Sequence, residues 1–314
     1  MQRSSNTGSI WTKSPSGLLL PDGTHSEILE HDLHTYAAVK AMAEEVKELY
    51  SLHKISIPPQ SSLNQLIDAA NQLSDSWILN EAESISMPTL LKAFHIFRIS
   101  RALISLKSEP NIDLHLKKLT SGDLNLLDRK QSNAKDYLWE IELFSSLKNH
   151  GVNPKFTEPD LQVSMHGSLI SFACKKIYSE KNFAKTLSIA VAQIERSKNN
   201  GIVAINIDEL LPSQNLLNGN THQSTNKILQ NFNDRFINKH VFHLRKYLTS
   251  GRIISCIVSS SIIADVKDAP TRLNNVSQMT FWTIPTLSLH RQNLISEFYA
   301  RLKRSEEKVL QPSL

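Results

Sequence analysis

The stretch "GIVAINIDELL", residues 201–211, limits the fold more than any other part of the chain. It is a short, nearly continuous apolar run, the pattern of a strand buried on both faces. A helical pattern, "SEKNFAKTLSIAVAQIERSKNNG", stands just before it and is expected to end at Gly201. Ahead of that helix, "VNPKFTEPDLQVSM" and "SLISFACKKI" alternate as strands do. Ahead of those, "SNAKDYLWEIELFSSLKNHG" reads as a helix closed by Gly151. Beyond the buried strand, a polar loop, "PSQNLLNGNTHQST", leads into a basic helix, "NKILQNFNDRFINKHVFHLRKYL". Two strands, "RIISCIVSSSII" and "QMTFWTIP", and a helix from 288 to about 308 complete a mixed α/β region over 131–314.

The first part of the chain has a different period. Residues 1–24 are rich in Ser, Gly and Pro and read as a poorly ordered lead-in. Residues 25–130 read as a helical domain. "SEILEHDLHTYAAVKAMAEEVKELYSLH" is expected to be one long helix, with Leu33, Tyr36, Val39, Ala43 and Val46 at helical spacing. "SSLNQLIDAANQLSDSWIL" and "MPTLLKAFHIFRISRALISLK" are two more, Pro88 suiting a first turn.

Composition narrows the class. With 314 residues, 40% hydrophobic and 21% charged, the chain can bury a sizeable core. No stretch approaches the 18 apolar residues of a membrane span, and no signal-peptide run opens the sequence, so a cytoplasmic protein is expected. Cys174 and Cys256 lie far apart in apolar surroundings, which argues against structural zinc and for small buried hydrophobes. A net charge of +5 permits a nucleic-acid partner without demanding one. No Walker loop, Rossmann glycine pattern or nucleophile elbow is present.

The chemistry concentrates in "EPDLQVSMHGSLISFACKK", residues 158–176. In its second arm Ile170, Phe172 and Cys174 share a core face, and Ser171, Ala173 and Lys175 share the other. In its first arm Glu158, Asp160 and Gln162 lie opposite Leu161 and Val163. A turn near His166 and Gly167 would bring Asp160 and Lys175 onto a common polar face. In the preceding helix, Glu140 falls inside the apolar stripe of Tyr137, Ile141, Phe144 and Leu147, where a carboxylate needs a partner. Glu142 points the other way and is expected to be solvated.

This order, a helix with an inward Glu, a strand, Pro159-Asp160, a hairpin, a strand ending in Lys175, a helix and a buried strand, resembles the PD-(D/E)XK superfamily of restriction-endonuclease-like nucleases. The resemblance covers roughly 131–211. It implies a restriction-endonuclease-like domain with a central mixed sheet flanked by helices, following the N-terminal helical domain. It also implies metal-dependent hydrolysis of phosphodiester bonds in DNA or RNA. By that likeness Asp160 binds Mg²⁺ (or Mn²⁺), Glu140 supports the metal, Lys175 positions the attacking water or neutralises phosphate, and Gln193 lies near the site. The motif's second acidic residue is replaced by Ala173, so Glu140 or Glu158 would have to substitute, or the site has lost its metal. A catalytically inactive nuclease fold that binds nucleic acid or a partner subunit is the alternative. Bacterial members of the family with appended domains often belong to antiviral defence or nucleic-acid-processing systems, so the resemblance implies a nucleic-acid partner and leaves a partner protein subunit or a homo-oligomer open for this chain.

Two further features have plain structural readings. His25, His31 and His34 are close enough for a metal site to be conceivable, but there is no HExxH pattern and the solvated, polar start of a helix accounts for them better. Lys227, Arg235, Lys239, Arg245 and Lys246 on the basic helix fit phosphate neutralisation or a solvated face.

Overall fold

The computed structural model describes residues 11–13, 19–21, 25–28, 36–79, 84–165, 167–211, 216–269 and 273–309. Its elements in chain order begin with three short strands, β1 (Trp11–Lys13), β2 (Leu19–Pro21) and β3 (His25–Ile28). Four helices follow, α1 (Tyr36–Leu52), α2 (Ser62–Ile78), α3 (Met87–Ile104) and α4 (Ile112–Thr120). Then come α5 (Asn133–Asn149), β4 (Pro154–Phe156), β5 (Leu161–Met165), β6 (Ser168–Lys176), α6 (Phe183–Ser197) and β7 (Asn200–Asn206). β8 (Leu216–Gly219), α7 (His222–Thr249), β9 (Ser255–Val266), β10 (Leu273–Trp282) and α8 (Leu289–Val309) complete the chain.

Local chemistry sets the helix ends. Ser61, Ser86 and Ser132 each accept a hydrogen bond from a first-turn amide of α2, α3 and α5. Pro88 stands in the first turn of α3, where its missing N–H costs nothing. Thr221 and Ser224 form a reciprocal capping box on α7. Gly151 follows α5 at a φ of 68°, a left-handed conformation that favours glycine.

The eight-stranded sheet runs β3-β10-β9-β7-β6-β5-β4, with β8 also paired to β9. β6, β7 and β9 are parallel, whereas β4-β5-β6 and β9-β10-β3 are antiparallel. The expected mixed sheet flanked by helices is therefore present. Both faces are covered. Gly201, paired with Ser171, meets Ile194 of α6, and Thr280 receives the Asn233 amide of α7, so α6 and α7 lie on that face. On the opposite face Phe172 and Phe281 meet Phe298 of α8, and Phe156 stacks on Phe144 of α5. One apolar core runs from Val39 in α1 to Leu302 in α8, joining the N-terminal helices to the sheet.

Several expectations need correction. The helix read from residue 26 starts at Tyr36, and His25–Ile28 instead form strand β3 against β10. The helical reading runs over Ser26–Ile28 because β3 is too short to show its own period. The helix expected to end at Gly201 ends at Ser197, with Lys198 adopting the left-handed conformation at its C-cap. Gly201 is a strand residue, and its lack of a side chain has a packing cause: a Cβ there would lie 2.0 Å from Ile194 Cγ2. Gly201→Ala is accordingly expected to cost about 1–3 kcal/mol in urea denaturation, with part recovered by adding Ile194→Ala. The polar loop before α7 contains strand β8, and α4 had no counterpart in the sequence reading. Cys174 and Cys256 are free and buried, as expected. No helix among the described residues is long and apolar enough to cross a membrane.

Candidate active site

The antiparallel register of β5 and β6, with Leu161 opposite Phe172, brings Asp160 off the end of β5 beside Ala173 and Cys174. Asp160 Oδ2 accepts a hydrogen bond of 2.6 Å from the Cys174 amide and lies 3.6 Å from Lys175 Nζ. The two arms of the hairpin thus meet through this pair. The common face is not a solvated one, however. Ser171 and Ala173 are fully buried beneath α6, and the Asp160 and Lys175 side chains keep only 13% and 20% of their exposure.

Burial raises the Asp160 carboxyl above its ordinary range, against the opposing pull of Lys175 and the Cys174 amide. Glu140, from α5, is affected more strongly. Burial first, and the nearby Asp160 charge second, push it up to about 8, although Lys118 and Lys175 pull the other way. Near neutral pH the Glu140 carboxyl is therefore largely protonated. Asp136, one turn earlier on α5, is also raised by burial and accepts a hydrogen bond of 2.9 Å from the Tyr178 hydroxyl.

The remaining expected site residues are placed less closely. Glu158 is exposed and reaches Asp160 only as a neighbouring like charge. Gln193 lies half-buried on α6, its Oε1 enclosed without a hydrogen bond. No hydrogen bond joins it to Asp160 or Lys175 among the described residues. His25 falls in β3, and His31 and His34 lie outside the described residues.

The protein oxygens available to a divalent ion here are few. Asp160 Oδ1 accepts no protein hydrogen bond among the described residues, and the half-buried Glu140 has no ion-pair partner there. Among those residues no group of three or more His, Cys, Asp or Glu side chains gathers at one point. Two oxygens and several waters would complete the shell, a weak arrangement for Mg²⁺.

Sequence reasoning missed a second charged cluster, on the other face of β6. Glu142 is not solvated. It is 15% exposed and held by Arg98 of α3 through Nε and, at 2.8 Å, Nη2. The same Nη2 donates to Asp208 Oδ2 at 2.6 Å. Asp208 Oδ1 accepts from the Ser261 amide at 2.7 Å. Lys176 Nζ bonds Asn206 Oδ1 at 2.8 Å and stands 3.5 Å from Asp208 and 3.3 Å from Glu209. Burial opposes the Asp208 charge, yet Arg98 and Lys176 outweigh it and hold its carboxyl below the usual range. Adjacent lysines at the end of β6 thus serve opposite faces: Lys175 meets Asp160, and Lys176 joins a network linking α3, α5, β7 and β9. The only sequence signal was a lysine doublet at the end of a buried strand.

Compared with known proteins, the chain matches no family model, no curated protein and no solved structure.

Proposed function

We propose that this chain is a metal-dependent nuclease of restriction-endonuclease-like fold, hydrolysing phosphodiester bonds in DNA or RNA. The observation that carries the reading is the Asp160–Lys175 pair, 3.6 Å apart where β5 begins and β6 ends. The order α5-β4-β5-β6-α6-β7, with Glu140 contributed from α5, supports it. Mg²⁺, when bound, would stabilise charge on the phosphoryl oxygens and lower the pKa of a bound water. Asp160 would hold the ion through its free oxygen, with Glu140 as the second donor once ionised. Lys175, released from Asp160 by the ion, would orient the attacking water or neutralise phosphate charge. The low exposure of Asp160 and Lys175 limits bulk water, which strengthens each of these charges.

Ala173 favours a second reading, a catalytically inactive nuclease fold that retains only nucleic-acid or partner-subunit binding. It removes one ligand, and one oxygen of the remaining carboxylate, Asp160 Oδ2, is already engaged by the Cys174 amide and Lys175. Incubation of plasmid DNA, linear DNA and transfer RNA with purified protein in Mg²⁺, Mn²⁺ or EDTA separates the two. Cleavage that needs metal and falls by at least about 100-fold in both Asp160→Ala and Lys175→Ala is the expected result. A folded protein silent on every substrate, or variants as active as the wild type, would leave the inactive reading standing.

A further inference from the structure

Helix α7 (His222–Thr249) has 28 residues and is therefore about 42 Å long. Its buried side holds Leu229, Asn233, Phe236, His240 and Leu244 against the sheet and α6. The opposite side is a continuous exposed stripe at helical spacing. It carries Lys227, Arg235, Lys239, Arg245 and Lys246, and not one carboxylate. The single acidic residue of the helix, Asp234, lies off this stripe and is half-buried.

In the midst of the cations stands Phe242, 77% exposed, the most exposed of the large apolar side chains described. Its neighbours along the stripe at three and four residues are Asn238, Lys239, Arg245 and Lys246, all exposed. Lys239 bonds Glu180 and Lys246 lies 5.6 Å from the Tyr247 ring, whereas Arg235 and Arg245 pair with no carboxylate among the described residues. Apart from an edge-on contact with the His243 ring of the same helix, 5.8 Å between centroids, the exposed Phe242 ring has no structural use here, since the helix is anchored by its other face. A ring amid cations, of which Arg235 and Arg245 have no carboxylate partner among the described residues, complements a partner offering both regular negative charge and flat π-surfaces. Nucleic acid has both, and only unpaired bases present their faces to a side chain.

The position of the stripe relates it to Asp160 and Lys175. Lys175 points to the sheet face that α6 and α7 cover, and Glu180, the partner of Lys239, follows it by five residues. That is at most about 18 Å of chain.

We propose that the exposed stripe of α7 binds a single-stranded nucleic-acid segment, with Phe242 stacking on a base and the Lys and Arg side chains tracking its phosphates. Resting on the nuclease reading, this makes the substrate of the Asp160–Lys175 centre a single strand or a single-stranded flank. The binding itself does not require hydrolysis.

The test is fluorescence anisotropy with the full chain in EDTA, using a labelled 20-nucleotide DNA strand, its RNA equivalent and the corresponding DNA duplex. At least one single strand should bind about tenfold or more tighter than the duplex. Phe242→Ala should weaken it by about 5- to 100-fold, while Phe242→Tyr stays within about twofold. Arg245→Gln should flatten the dependence of affinity on salt by close to one phosphate contact. The side chain is exposed, so unchanged melting temperatures establish that the variants fold. Equal binding of strand and duplex, or a Phe242→Ala effect under twofold, would overturn the assignment. So would Phe242-dependent binding to phosphatidylglycerol vesicles without binding to nucleic acid, which would place the face on a membrane surface. Binding that survives with no cleavage under Mg²⁺ would retire the nuclease reading alone, and Phe242-independent cleavage would retire this one alone.

Discussion

Arg98→Met is expected to be among the most damaging single substitutions in this chain. It removes the cation that Glu142 and Asp208 share, leaving two carboxylates that are 15% and 10% exposed without their main partner. Breaking a buried ion network from one side costs about 3–5 kcal/mol, because the remaining charges stay desolvated. For a chain of this size that corresponds to a fall of about 5–8 °C in Tm. Arg98→Lys should fall in between, since an ammonium keeps the charge but cannot fork to two carboxylates. Thermal and urea unfolding read the effect. A loss below about 1 kcal/mol would show that water reaches Glu142 and Asp208 and that the network contributes little. The acid side has its own signature. Asp208 is held below the ordinary carboxylate range, so its contribution is present above the unfolded pKa and is lost as pH falls through the folded one.

Glu140 imposes the opposite dependence. Its carboxyl is pushed up to about 8 by burial and by Asp160, so the folded chain binds a proton that the unfolded chain releases near its ordinary value. The stabilisation from that proton is complete below the unfolded pKa and is lost as pH rises through about 8. Asp160, also raised, works in the same direction. Glu140→Gln keeps the shape without the charge and should be more stable than the wild type at pH 9, by on the order of 3 kcal/mol. The two melting curves should converge near pH 5. If the gap fails to open with pH, Glu140 is solvated and ionised at neutrality. Under the nuclease reading, Mg²⁺ should bind tighter as pH rises toward 8 and release a proton, which calorimetry in two buffers would register.

What the sequence revealed of this arrangement follows from the range of the interactions involved. Asp160 and Lys175 lie on adjacent strands joined by a short turn, where alternation alone determines which side chains share a face. Glu140 was legible because a carboxylate broke an apolar stripe within one helix. Glu142 was misread by the same logic, since its partner Arg98 lies 44 residues away on another helix. Asp208 is 110 residues from Arg98, a separation over which no periodicity carries information. β3 shows the same limit: four residues beside a strong helical pattern take their conformation from a strand near the far end of the chain. Phe242 was hidden for a different reason, because exposure of one apolar residue on a helix depends on which face the fold buries.

The pairing of β3 with β10 also bears on how the chain reaches this structure. Ile28 lies opposite Gln278 and His25 opposite Phe281, so the outer rung of the sheet closes a loop of about 250 residues. During synthesis the N-terminal helices, rich in local contacts, emerge long before the strand that completes this edge. Until β10 arrives, residues 25–28 have no partner, and until they dock, one border of β10 offers open backbone groups to other chains. This edge of the sheet therefore closes only once β10 has been made, and the interval before closure is when the nascent protein is most exposed to association with its own copies.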